Sequence, residues 1–267
     1  MDMSKDTCCT DSVTHYRERV KYFPRQLLTA DDMRAEQEYF RERQRRHNRF
    51  LHGWGVVCGL EVKAPAEKDS NWQVTVCPGY AITPQGDEVW ITAPVQFDFR
   101  TKLQRPEPCA TRWSCPPEEE QPINRDVHPA YLAVRYVECN ARPVRVHPAG
   151  CGCDEAACEY SRVRDSFELK VLWKLPESHK QAKEADKRWC EAWKHALPSI
   201  QKAPDTAEFP VPECSSCSEN PWLVLATIAL PTDATTSITK VTYADRRPLY
   251  SAATLQVVQA CTSTIRP

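Results

Sequence analysis

Glycine is the scarce residue of this chain: 7 among 267, against 22 prolines. It serves where φ is positive or where another segment passes too close for a Cβ. Rationing of this kind marks the places where the backbone is constrained. Gly53, Gly55, Gly59, Gly79 and Gly86 fall in one window, and Gly150 and Gly152 sit in a cysteine-rich loop. Apolar runs are short as well, and none approaches the ~20 residues needed to span a bilayer, so no membrane insertion is expected. Nor is there an excess of charge: 35 basic and 36 acidic side chains leave a net −1, no field for collecting nucleic acid. The opening residues MDMSKDTCCTDS lack an apolar signal-peptide core. Cytoplasmic synthesis without Sec export is therefore expected, with an assembled particle free to leave by another route. The G-x-S-x-G, P-loop, Rossmann and H-E-x-x-H patterns are missing too. Nothing assembles a nucleophile, a base and an oxyanion site, so the chain is read as a non-enzyme.

What is present begins with a helix. Thr29-Ala-Asp-Asp32 has the form of a capping box, with carboxylates in the electropositive first turn. From Ala30 to Leu51 there is neither Pro nor Gly, and Gly53 is placed to end the helix. Met33, Phe40, His47 and Trp54 recur every seven residues, flanked by Tyr39, Phe50 and Leu51. This narrow apolar seam suits packing on a sheet or on a partner helix, with His47 as a hydrogen-bonded core histidine. Arg34, Arg41, Arg43, Arg45, Arg46 and Arg49 face only Glu36, Glu38 and Glu42. Interleaved glutamates favour a solvated or partner-facing surface over phosphate binding, and arginine is enriched at protein interfaces. Arg41, Arg43, Arg45, Arg46, Arg49 and Trp54 are the expected interface. Reversing Arg43, Arg45 and Arg46 should then weaken assembly while leaving the monomer folded.

β-Structure follows. Val56–Val62 reads as one strand interrupted by Gly59, Trp72–Val76 alternates, and Tyr80–Ile82 and Glu88–Ile91 flank a turn at Pro84–Asp87. Strong strands resume at Tyr131–Val137 and Phe167–Trp173, and a second amphipathic helix is expected over Ser178–Leu197, with Trp189 and Trp193 on one face. Trp222–Leu230, Ile238–Tyr243 and Leu255–Val258 read as closing strands. The division expected is an arm (1–28), a long helix (29–53), a β-rich domain (54–173 with 221–267) and a helical, cysteine-containing insertion (174–220). The class is α+β, with a mainly antiparallel, sandwich-like sheet.

Fourteen cysteines are many for a cytoplasmic chain. Cys139, Cys151, Cys153 and Cys158 lie in one 20-residue stretch, and Cys214 and Cys217 form a C-x-x-C knuckle. These spacings permit a structural zinc site, which needs four soft ligands on tight loops. Disulfides and plain buried thiols are the open alternatives. A thioredoxin-like role for Cys214 and Cys217 lacks the required βαβ context.

Tyr22-Phe-Pro-Arg-Gln-Leu-Leu-Thr-Ala-Asp-Asp32, Glu36-Gln-Glu-Tyr39 and Arg46-His-Asn-Arg-Phe-Leu-His-Gly-Trp-Gly-Val-Val-Cys-Gly-Leu-Glu-Val62 together resemble a bacterial family associated with phage-tail-like contractile injection systems. Val74–Ile82 and Gly86–Ile91 resemble the β-motif of attachment domains in tail-fibre and baseplate proteins. The likeness is dense over 22–98 and looser over Tyr131–Trp173, Trp222–Leu230 and Ala244–Tyr250. It implies a structural subunit that contacts other subunits of a large assembly, and it brings no catalytic residues with it. Two rivals stand beside this reading. A binding module for a surface glycan or protein would show Trp72, Trp90 or Trp113 exposed. A Cys/His metalloenzyme would need an open coordination position.

Overall fold

The computed structural model describes residues 18–64, 72–100, 103–104, 129–145, 158–203, 205–211, 218–230, 238 and 240–257, with the backbone alone at 103, 104, 145 and 158. In chain order its elements are α1 (Ala30–His47), a π-helical turn (Asn48–His52), β1 (Gly55–Gly59), β2 (Val62–Lys63), β3 (Gln73–Val76), β4 (Gly79–Ile82), β5 (Glu88–Ile91) and β6 (Val95–Asp98). Then come β7 (Leu103–Gln104), β8 (Ala130–Arg145), β9 (Cys158–Leu172), α2 (Glu177–Lys202), β10 (Leu223–Ala229) and β11 (Lys240–Thr242). Every ladder between these strands is antiparallel, in sheets ordered β1-β4-β5, β2-β3-β6 and β11-β10-β8-β9-β7. The class is α+β, as the sequence implies.

Alternation builds the core. On β5, Val89 and Ile91 point in while Glu88 and Trp90 point out. Trp72, Val74, Val76, Phe97, Leu132, Leu169, Leu223, Leu225 and Ile228 join them in one apolar cluster drawn from all three sheets. Burying a side chain of this size stabilises by ~1.5–3 kcal/mol, and truncating Leu132 to Ala would cost ~2–5 kcal/mol.

Five elements depart from the sequence reading. The stretch Val56–Val62 is two strands in different sheets, because Gly59 and Leu60 both adopt positive φ (60° and 53°) and turn the chain between them. β8 and β9 run past their expected ends into a ribbon whose outer half, with Val144, Tyr160 and Val163 exposed, projects beyond the core. α2 continues through Pro198, which withholds one amide without ending the helix. Residues 252–257 are helical rather than extended, begun by Ser251 Oγ accepting from the Thr254 amide at 3.2 Å.

Candidate functional site

The helix caps as its sequence requires: Thr29 Oγ1 accepts from the Asp32 amide at 3.2 Å, and Asp32 Oδ2 accepts from the Thr29 amide at 2.9 Å. It then settles on the β4–β5 turn through its polar face. Arg45 donates from Nη1 to Glu42 at 2.8 Å and from Nε to Asp87 at 2.6 Å. Asn48 Nδ2 donates to the Gly86 carbonyl at 2.8 Å. Glu42, Asn48 and Asp87 are all buried. Burial raises the Asp87 carboxyl above its ordinary range, against the pull of the Arg45 guanidinium. The contact needs a glycine: Gly86 has φ 91°, and a Cβ there would lie 2.3 Å from the Arg45 carbonyl oxygen. Further along, Arg41 pairs with Glu38 of its own helix and with Glu138 on β8.

With the polar face turned inward, the apolar seam faces out. Residues 33, 40 and 47 lie about half a turn of helix from 38, 42 and 45. Met33 is 47% exposed, Phe40 48% and Leu51 70%. Among the described residues Met33, Phe40 and His47 pack on no sheet, and His47 is a surface residue rather than a core one. Its ring meets His52 edge-on at 5.2 Å. Five residues apart, the two would diverge on an α-helix, but the wider π turn brings them together. Arg43 and Arg46 are exposed, and Arg49 lies over the Phe50 ring.

Arg45 and Trp54 are taken up by the fold itself. Arg45 is held in the ion pairs above, so charge reversal there strikes the monomer, contrary to the sequence expectation. Trp54 packs edge-on against His179 of α2 at 4.8 Å and beneath Arg247 at 5.0 Å. His179 is buried, and its Nε2 accepts from the Val224 amide at 3.1 Å, where a bulge in the β8–β10 pairing frees that amide. Desolvation, then the nearby Arg247, hold its pKa down at about 4.

The glycines of β1 and β4 lie back to back. A Cβ on Gly59 would sit 2.1 Å from the Pro78 carbonyl oxygen, and one on Gly79 would sit 2.4 Å from both Cys58 O and Leu60 N. A late segment closes over this corner. The Val56 amide donates to Arg247 O at 2.9 Å and the Leu249 amide to Val56 O at 2.8 Å. Gly55, at φ 146°, lets the Arg247 carbonyl approach, and Gly53, at φ 80°, ends the π turn. Arg246 donates to the carbonyls of Leu60 and Gly59, and Arg247 to Trp54 O and to Asp186 of α2.

Of the cysteine candidates, Cys139 is buried and disulfide-bonded, so it offers no thiolate to a metal. It pairs in register with Arg164, whereas Cys158 pairs with Arg145, about six residues or roughly 20 Å along the ribbon. Those two cannot serve one ion. Cys151, Cys153, Cys214 and Cys217 lie outside the described residues. Among the described residues, no group of three or more His, Cys, Asp or Glu side chains is arranged for a metal.

Trp72 is core, while Trp90 is 71% exposed on the outer face of β5. Tyr80 is its cross-strand partner on β4. The Tyr80 hydroxyl is pushed up to about 12 by burial and by its hydrogen bond to Glu88. Trp113 lies outside the described residues.

No family model and no curated sequence matches the chain. A crystal structure of TssK aligns over 84% of this chain at 12% identity with a TM-score of 0.35, and the chain spans 41% of that protein's length. A likeness of that size assigns neither fold nor role. No helix among the described residues is long and apolar enough to cross a membrane.

Sequence reasoning located α1 and its arginines but missed Glu42, Asn48 and Asp87 as anchors. Gly86-Asp87 in a turn was the available signal: a positive-φ glycine beside a carboxylate, opposite an arginine-rich helix. Arg246 and Arg247 fall within the looser resemblance over Ala244–Tyr250, but nothing there gives their roles, since their partners lie at the other end of the chain.

Proposed function

We propose that the chain is a non-enzymatic structural subunit of a phage-tail-like contractile particle, as a baseplate, fibre-adaptor or peripheral component that contacts other subunits. One observation carries the reading: α1 spends its polar face on its own protein and leaves Met33, Phe40 and Leu51 to solvent. An amphipathic helix normally does the reverse, so a seam left outside is a surface awaiting cover. The residues behind the tail-family resemblance support it, because Asn48, Gly55, Gly59, Gly79 and Gly86 are used to hold α1 and β1 in place. The test is tagged purification from the source cell with negative-stain electron microscopy, for wild type and Phe40→Asp. Tail-like particles with the wild type, lost with the variant while it stays folded, are expected. A wild-type eluate without particles overturns the reading.

A second reading, a glycan- or protein-binding module, draws on Trp90. Its open indole beside Tyr80, with the Glu88 carboxylate adjacent, is a surface on which a sugar face can stack. Glycan-array binding that Trp90→Ala abolishes would favour it.

A further inference from the structure

We propose that the partner of the α1 seam is α1 of a second copy, crossing antiparallel at Phe40 to form a twofold dimer. This rests on the assembly reading and names its first contact. The helix has 18 residues and is roughly 27 Å long. Met33, Glu36, Phe40, Arg43 and His47 follow the three-then-four spacing that puts residues on one stripe.

Charge decides the occupant and its direction. The acidic residues of α1 are concentrated in its first half (Asp31, Asp32, Glu36, Glu38) and the basic ones in its second (Arg41, Arg43, Arg45, Arg46). Most are satisfied internally: Asp31 with Arg34, Glu38 with Arg41, and Glu42 with Arg45. Glu36 and Arg43 make no ion pair among the described residues, and they flank the seam. A parallel pair would set Glu36 against Glu36 and Arg43 against Arg43. An antiparallel crossing at Phe40 sets Glu36 beside the partner's Arg43, twice by symmetry, and Met33 against the partner's His47. The stripe is thus complementary to itself in one orientation, as a twofold interface requires.

The test is the mass of the full chain by light scattering across a dilution series. Wild type should be dimeric at high concentration, and Phe40→Asp should raise the dissociation constant by more than about tenfold, as loss of a central aromatic does. Glu36→Arg alone and Arg43→Glu alone should each be monomeric, since each sets like charges together twice. Mixing the two variants should restore the dimer, because both contacts become opposite-charge pairs. These side chains lie on the solvent side, so circular dichroism should show every variant folded. A wild type that is monomeric at every concentration overturns the proposal, as does a mixture no better than its components. Particle association with a monomeric wild type would defeat the dimer and leave the assembly reading standing. A dimer without particles would do the opposite.

Discussion

Arg45 Nε donates to Asp87 Oδ1 at 2.6 Å across 42 residues of sequence, and this pair, with Glu42 behind it, seats α1 on the sheet. Removing one member strands a buried charge, which costs ~3–5 kcal/mol. Arg45→Glu should therefore lower stability by about that much in urea denaturation. Arg43→Glu and Arg46→Glu, on the exposed side, should stay within ~0.5 kcal/mol of wild type when all are compared at concentrations where the chain is monomeric. Equal effects at all three positions would mean that α1 is not held through its polar face.

Gly86→Ala and Gly79→Ala both place a methyl group on backbone atoms, at 2.3 Å and 2.4 Å. Backbone cannot swing aside as a flexible side chain can, and Gly86 adds an unfavourable φ. Each substitution should destabilise by more than about 2 kcal/mol. The two should part in a second readout. Gly86→Ala should loosen α1 selectively, seen as faster amide exchange in 30–47, whereas Gly79→Ala should disturb the β1–β4 corner.

His179 titrates near 6.5 when unfolded and at about 4 in the fold. Between those values the unfolded chain binds the extra proton, so acidification favours unfolding. The contribution of His179 is complete above about pH 6.5 and is lost as pH falls towards 4, by up to ~1.4 kcal/mol per pH unit. His179→Gln should flatten this part of the stability profile relative to wild type. Parallel profiles for the two proteins would show that the ring is not kept neutral.

Trp90→Ala removes an indole that is 71% exposed, so the melting temperature should scarcely move. Under the assembly reading, incorporation into particles should be unchanged as well. Lost ligand binding with intact incorporation would show that one chain has both roles.

The local elements were legible because their causes are local. The Thr29–Asp32 capping box and the alternation of Val89 and Ile91 with Glu88 and Trp90 follow from a few neighbouring residues. The facing of α1 was not. An apolar seam normally turns inward, and here a buried Glu42–Arg45–Asp87 group overrides it. Periodicity finds a stripe but does not say which side of the helix the rest of the protein lies on. The pairing of His47 with His52 was hidden for a similar reason, since it depends on a π turn that no residue announces. The cysteine cluster was legible as a count, but its meaning depended on strand register, which carried Cys139 and Cys158 apart.

The hold of Arg247 on Trp54 spans 193 residues, and that distance sets an order of events while the chain is being made. β1 leaves the ribosome long before residues 245–249, the segment that covers it. At ~5–20 residues per second the wait is on the order of 10–40 s. Throughout that interval α1 and β1 are present with their corner unsealed. The β1 corner is thus open to wrong partners until residues 247–249 emerge, and their contact with Val56 is what closes it.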